Sequence, residues 1–338
     1  MWGSRLDAAD AILAGIILAA AAMCCAAATA ALIPLLRWRN VLDRPNERSS
    51  HAVPTPRGGG IAVIGAILLA WLGLAAIGRV SSALIPICTG AGLLAVVSWI
   101  DDLYGLSPAT RVAAQAAAVA VGLVALPREA SSLVPWLAPA VYDVMLGFAW
   151  LWWVNAFNFM DGIDGIAGSQ AATIGGGLLL VTAVGNAVDP SIALLAAAVL
   201  GAALSFLIWN WSPARIFLGD VGSVPLGYLT GFLLIGLAGA GHWKAALILP
   251  LYFLADATIT LGRRLLRGER VWQAHRQHFY QQAVSAGLGH AEIVSRIVVA
   301  DLLLVACAWI AENGAGALAL PAAAIVVAVL LEALGRGR

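Results

Sequence analysis

Long apolar runs, each ending in a short polar or glycine-rich cluster, alternate along almost the whole chain. A helix needs about 20 apolar residues to cross the hydrocarbon core of a bilayer, which offers no water to an unpaired backbone group. On that criterion the predicted spans are 11–36, 59–78, 81–100, 110–127, 139–157, 166–187, 191–209, 222–240, 244–262, 291–311 and 315–334. The pattern predicts an all-α polytopic membrane protein with about eleven transmembrane helices, forming one integral membrane domain over 1–338. No internal repeat is evident, so a two-fold transporter architecture gains no support. The first run, from Ala11 to Leu36, exceeds the about 7–15 residues of a signal-peptide core. It is expected to remain as a span.

Composition sharpens this picture. Of 338 residues, 62% are hydrophobic and only 11% are charged, against about 25% charged in a soluble domain. The net charge of +1 says nothing about nucleic acid, but the lack of a basic run speaks against such a partner. Cys24, Cys25, Cys88 and Cys307 all lie in apolar stretches with no CxxC spacing, and read as packing residues.

Loop charge predicts the orientation. One set of alternate loops and the tail carry fourteen arginines: Arg37, Arg39, Arg44, Arg48, Arg57, Arg111, Arg215, Arg263, Arg264, Arg267, Arg270, Arg276, Arg336 and Arg338. The other set carries four cations, Arg5, Arg79, Arg128 and Lys244. By the positive-inside rule the N-terminus is expected outside and the C-terminus in the cytoplasm, which requires an odd number of spans.

Under that topology five loops face the cytoplasm, roughly 37–58, 101–110, 156–165, 210–221 and 263–290, and they hold nearly all the candidate chemistry. In the run from Asn155 through Asn158, Asp161 and Asp164 to Gly168, polar groups three apart are neighbours on a helix. Asp161 and Asp164 could share a cation, although a capped polar helix end would also use such residues. Asp101 and Asp102 sit about 100° apart on a helix. One is therefore expected to face the site and the other to brace a neighbour. Asp220, between Gly219 and Val221 in the stretch beginning at Asn210, is the best single candidate for a Mg²⁺ ligand. In the last loop Arg276, His275 and His278 suit a diphosphate better than a metal; a solvated basic face against anionic lipid is the plainer alternative. Asp256 and Asp301 fall within spans, where an acid is costly and normally paired.

These stretches together resemble the polyprenyl-phosphate N-acetylhexosamine-1-phosphate transferases, glycosyltransferase family 4. The resemblance runs from Asp43 to about Gln282 through five ordered motifs: DRPNERSSH…PTPRGGG, the Asp101-Asp102 pair with LSPATR, NAFNFMDGIDGIAG, NWSPARIFLGDVGS and AHRQHFYQ. It implies a UDP-N-acetylhexosamine donor, an undecaprenyl phosphate acceptor, UMP release, and a place in the bacterial inner membrane with the site facing the cytoplasm. It also implies Mg²⁺, with Mn²⁺ as a substitute, and is compatible with a homodimer.

By the same resemblance Asp220 would bind the metal, with Asp101 and Asp102 beside it and the lipid phosphate. Asp161, Asp164, Asn158, Asn155 and Asn210 would line the nucleotide and diphosphate pocket, with Phe217 stacked on uracil. His275, Arg276 and His278 would hold the diphosphate or sugar, while Arg111 and Gln115 would face the acceptor phosphate. The sequence HRQHFYQ departs from the contiguous histidine run of the peptidoglycan enzyme. It looks more like the branch that starts O-antigen chains of lipopolysaccharide, which argues against a muramoyl-pentapeptide donor.

Other classes fit less well. An intramembrane prenyltransferase would show a second Asp-rich DxxxD motif, and a CDP-alcohol phosphotransferase would show a DGxxAR start, whereas Asp164-Gly165 is followed by Ile-Ala-Gly with no Arg. A transporter would keep its polar groups near the midplane.

Overall fold

The computed structural model describes residues 7–43, 53–126, 138–185, 188–271, 273 and 275–335. Arg5, Arg44, Arg48, Pro127, Arg128, Arg336 and Arg338, with most of the DRPNERSSH stretch, lie outside the described residues.

The apolar runs form helices α1 (Ala8–Trp38), α2 (Gly60–Ala76), α3 (Leu84–Tyr104), α4 (Pro108–Ala125), α5 (Pro139–Phe159), α6 (Ile166–Val184), α7 (Pro190–Asn210) and α8 (Asp220–Leu237). They continue as α9 (Trp243–Ile248), α10 (Leu251–Leu266), the short α11 (Phe279–Ser285), α12 (His290–Ile310) and α13 (Gly316–Gly335). Each predicted span falls on one of these helices, with 244–262 divided between α9 and α10 at Pro250. Helix starts obey local chemistry. Ser107 accepts from Thr110 N–H at 3.1 Å and Asp189 from Ser191 N–H at 2.9 Å, each followed by a proline whose missing N–H costs nothing there.

By length and composition, eight helical runs among the described residues are able to cross a membrane. One of them, His290–Gly335, is 46 residues long. At 1.5 Å per residue it would extend about 70 Å, more than twice a bilayer core. It is two helices, because the chain leaves helical geometry at Asn313 and Gly314 and α13 packs back along α12. The protein is an all-α polytopic membrane protein.

The interior is built by α6, α7 and α8, whose apolar windows are about three-quarters buried. These helices are apolar on every face, as a helix enclosed by others must be. Helix α1 lies along α7, and α8 packs between α3 and α5. The outer helices present Ile12, Ile16, Met23, Val124, Leu318 and Val329 to the surroundings. A surface of that kind needs lipid as its solvent.

The polar ends separate cleanly. At one end, Asp10 pairs with Arg79 and His242 with Glu312. At the other end, the last turns of α3, α5, α7 and α10 meet the first turns of α2, α4, α6, α8 and α12, and the polar chemistry of the loops gathers there.

That gathering depends on a close approach of α2 and α8. A Cβ on Gly60 would lie 2.2 Å from the Gly222 Cα, a distance no side chain tolerates. Gly60→Val is expected to force the two helices apart and to cost at least the about 1–3 kcal/mol of an overpacked core. Thermal unfolding in detergent, followed by size exclusion, is the check; an unshifted melting temperature would refute the packing argument.

Candidate active site

The loop before α2 is fastened to the loop before α8. Strand β1 (Leu42–Asp43) pairs antiparallel with β2 (Thr55–Pro56). Phe217 N–H then donates to the Pro56 carbonyl at 2.8 Å, while Gly58 and Gly59 N–H donate to the Phe217 carbonyl at 3.2 and 2.9 Å. Gly60 N–H donates to the Leu218 carbonyl at 2.8 Å. This lacing fixes Arg57, whose Nη2 lies 2.7 Å from Asp102 Oδ1 and 3.2 Å from Asp220 Oδ1.

The two adjacent aspartates at the end of α3 diverge. Asp102, with only 1% of its side chain exposed, accepts from Asp220 N–H at 3.1 Å and Val221 N–H at 3.0 Å. It satisfies two of the amide groups that a helix start leaves unpaired, and so anchors α8 to α3. Gly219 makes this possible. It has φ of 74°, and a Cβ there would sit 2.8 Å from Asp102 Oδ2. Asp101 points elsewhere, accepting from Leu106 N–H at 2.6 Å and from Arg111 Nη1 at 3.3 Å.

Asp220 is the meeting point. Arg57 and Asn158 Nδ2 both reach its Oδ1 at 3.2 Å, and Arg111 Nη1 lies 3.9 Å from its Oδ2. Asn158 also donates to Ser223 Oγ at 2.8 Å, tying α5 to the first turn of α8. Two cavities open on either side of this carboxylate. The larger, 530 Å³, is lined by Asp161, Asp164, Asn210, Phe217, Arg276 and others; the smaller, 360 Å³, by Asp101, Arg111, Gln115, Asn155, Asn158, His275 and His278 among apolar residues of α3, α4 and α8. Asp220 and Gln281 line both.

In the larger cavity the loop between α5 and α6 is held by side chains of α7 and α12. Asn210 Oδ1 accepts from Gly165 N–H at 3.0 Å and its Nδ2 donates to the Ile216 carbonyl at 2.9 Å. Asp164 Oδ2 accepts from Ala214 N–H at 3.2 Å and lies 3.3 Å from His290 Nδ1. Burial alone would raise the Asp164 carboxyl, but the hydrogen bond and charge of His290 outweigh it and hold it below its ordinary range. Asp161 goes the other way: burial, and then the charge of Asp220, push it up to about 8 against the pull of Arg57.

In the smaller cavity Asn155 Nδ2 donates to Gln115 Oε1 at 2.8 Å. The histidine rings of the last loop lie 4.9 Å apart. His278 Nδ1 is 3.0 Å from Asp256 Oδ1, and Phe279 N–H donates to both Asp256 oxygens, at 3.2 and 3.1 Å. The acid within α10 thus has its partners, and so in part does Asp301, which accepts from Thr173 Oγ1 at 3.3 Å. His275 Nδ1 accepts from Gln277 N–H at 3.2 Å, which leaves the proton on Nε2.

Burial, followed by the nearby His278 and Arg264, pushes His275 down to about 4. It is therefore neutral at pH 7 and acts as a hydrogen-bonding group. Between about pH 6.5 and 4 the unfolded chain binds a proton here that the folded protein refuses, so acidification destabilises the fold in that window. His275→Gln is expected to flatten the fall in melting temperature between pH 7 and 5. An equal fall in both proteins would remove His275 as its source.

Arg57 and His290 are absent from the sequence-based site, and Gln281 entered it only as the end of the AHRQHFYQ motif. Arg57 had a signal, standing directly before three glycines in a resembling motif. His290, which opens α12, had none.

The donor set suits one class of ion. Among the described residues, Asp101, Asp102 and Asp220, when ionised, pair with Arg57 and Arg111, three carboxylates to two guanidinium groups. The groups that meet at Asp220 offer oxygens as ligands. Among the described residues no group of three or more His, Cys, Asp or Glu side chains converges as a closed metal cage. An open site offering carboxylate oxygens is what Mg²⁺ uses when substrate phosphates complete its shell.

The glycosyl transferase family 4 profile matches residues 83–238. The phospho-N-acetylmuramoyl-pentapeptide-transferase of Mycolicibacterium gilvum is 32% identical over 268 residues, covering 63% of this chain and 74% of the relative. Those of Mycolicibacterium vanbaalenii and Mycobacterium avium are each 31% identical over 268 residues, with the same coverage. The chain belongs to the polyprenyl-phosphate hexosamine-1-phosphate transferases. It is a phospho-sugar transferase of glycosyl transferase family 4, acting on polyprenyl phosphate.

Proposed function

We propose that this transferase moves N-acetylhexosamine-1-phosphate from a UDP-N-acetylhexosamine to undecaprenyl phosphate, releasing UMP and starting an O-antigen or related envelope glycan. The observation that carries the reading is the position of Asp220 on the shared wall of two cavities, one rich in polar groups and one bordered by apolar side chains. The larger suits a nucleotide-sugar and the smaller a lipid phosphate. The end of the bundle bearing both is assigned to the cytoplasm, with eleven spans and the N-terminus outside, on the arginine excess of its loops.

In this reading Phe217 offers a ring for uracil, and Asp161, Asp164 and Asn210 shape the nucleotide pocket. His275, Arg276 and His278 hold the diphosphate or sugar, while Arg111, Gln115 and Asn155 receive the acceptor phosphate. An oxygen of the lipid phosphate attacks the β-phosphorus of the donor in line, the bond to the UMP oxygen breaks, and UMP leaves with the electron pair. One diphosphate is exchanged for another, so the protein's task is to position and neutralise. Arg57 and Arg111 bracket the point of transfer. Mg²⁺, held by Asp220 with Asp101 close by, would screen the donor diphosphate and the leaving group.

A second reading, a UDP-N-acetylmuramoyl-pentapeptide donor, is favoured by the names of the relatives; the HRQHFYQ loop speaks against it. Purified enzyme supplied with undecaprenyl phosphate and a panel of UDP-sugars is expected to release UMP with at least one UDP-N-acetylhexosamine. Turnover with the muramoyl-pentapeptide donor alone would establish the second reading instead.

A further inference from the structure

We propose that Arg57 competes with the divalent cation for Asp220, and passes to the donor diphosphate once the cation displaces it. Cation and donor then bind cooperatively, with Arg57 as the link. The proposal rests on the reading of Asp220 as the metal ligand, and adds to it a residue that sets the affinity for the cation.

The Arg57 guanidinium stands on two carboxylates at once. Its Nη2 lies 2.7 Å from Asp102 Oδ1 and 3.2 Å from Asp220 Oδ1, and the charges of Asp43 and Asp161 act on it as well. The two acids differ in what else they do. Asp102 is buried and already fixed by the Asp220 and Val221 N–H groups. Asp220 has 22% of its side chain exposed and lines both cavities. Its Oδ1 also accepts from Asn158 at 3.2 Å, so two donors occupy that oxygen. A divalent cation on either oxygen of Asp220 meets the guanidinium as a like charge on the same carboxylate, and the two repel. Asn158 is neutral and sets up no such conflict.

A structural strut is the plainer use for such an arginine. The loop that carries Arg57 is fastened without its side chain, however, by the backbone hydrogen bonds of Phe217, Gly58, Gly59 and Gly60. Nor does a strut need an opening to the substrate. The Arg57 side chain is 35% exposed and lines the 530 Å³ cavity assigned to the nucleotide-sugar. A guanidinium has five N–H donors, so its head can keep Asp102 as a pivot and turn a second edge to phosphate oxygens, which its fork matches in pairs. Arg111 is not placed to do this. It pairs with Asp101 at 3.3 Å, stands 3.9 Å from Asp220 and lines the smaller cavity. Coupling of this kind is reciprocal: a cation that frees Arg57 favours the diphosphate, and a diphosphate that takes Arg57 favours the cation.

The test uses the full chain in detergent without lipid acceptor, so nothing turns over. Electron paramagnetic resonance reads Mn²⁺ binding, alone and with UDP, after allowing for Mn²⁺ bound to UDP in solution. Arg57→Gln is expected to bind Mn²⁺ alone about tenfold more tightly than the wild type, and to lose about tenfold of the enhancement that UDP brings. Loss of a strut would loosen Asp220 and weaken the cation instead, so the sign decides. A second measurement needs no variant at Arg57. Phenylglyoxal labelling of Arg57 in the wild type, read by peptide mass spectrometry, is expected to rise with Mn²⁺ and to fall again when UDP is added. Mn²⁺ affinity that is unchanged or weakened in Arg57→Gln, or labelling that Mn²⁺ leaves unchanged, overturns the proposal. Asp220→Asn separates the two ideas. If it binds Mn²⁺ as tightly as the wild type, the metal assignment falls and takes the proposal with it. If it binds Mn²⁺ poorly, a failure of the Arg57 measurements counts against this proposal alone.

Discussion

Asp220→Asn is expected to abolish transfer while the protein remains folded and monodisperse. Folding should survive because α8 is anchored through the Asp220 backbone N–H, which donates to Asp102, and not through the Asp220 carboxylate. Asparagine also keeps an oxygen for Arg57 and Asn158, which now meet Asp220 Oδ1 at 3.2 Å. What it loses is the charge needed to hold a divalent cation. Losing that should cost about 3–4 kcal/mol of transition-state stabilisation, a fall of roughly 10²–10³ in rate. The measurement is UMP release by the purified variant beside its melting temperature. Near-normal turnover would end the assignment of Asp220 as the metal ligand.

Asp101→Asn is expected to lose activity by about tenfold or more at every pH from about 6 to 9.5. Asp101 could be cast as the base that deprotonates the acceptor, but the second pKa of a phosphate monoester is about 6. At pH 7 most of the acceptor is therefore a dianion already, and a base would gain only about 1.4 kcal/mol for each pH unit. The surroundings of Asp101 are those of a positioning group. Its Oδ1 closes the turn between α3 and α4 through Leu106 N–H at 2.6 Å, and its Oδ2 orients Arg111, which also approaches Asp220. The asparagine variant keeps the turn and loses the ion pair. The deciding experiment is the pH–rate profile: a return toward wild-type activity at high pH would make Asp101 a base.

The helices were legible because each lipid-facing run must supply its own backbone hydrogen bonds, which marks both its length and its ends. The gathering of polar loops at one end was legible too, since alternation of direction follows once the spans are counted. Divergence of Asp101 and Asp102 follows from helix geometry alone. Their partners do not. The amide groups that Asp102 caps lie 118 and 119 residues away, and its neighbour Arg57 meets Asp220 across 163 residues. Helical periodicity gives the face a side chain occupies but not which of several helices stands opposite. The same gap hid the pairing of Asp256 with His278, for Arg263 on the same helix was the nearer cation in sequence. It hid His290 as well, a lone histidine that matters only because α12 begins beside Asp164.

The shared wall at Asp220 carries a kinetic consequence. Among the described residues the two cavities share just Asp220 and Gln281, so a ligand in one leaves the other open. Donor and acceptor can then be resident together, and direct in-line attack needs no phosphoryl group parked on the protein. Double-reciprocal plots at several fixed acceptor concentrations should intersect, and UMP exchange into the donor should require the lipid acceptor. Parallel lines, or exchange without lipid, would instead demand a covalent aspartyl-phosphate. A single molecule joining a uridine to a lipid-like phosphate across that carboxylate would compete with both substrates at once.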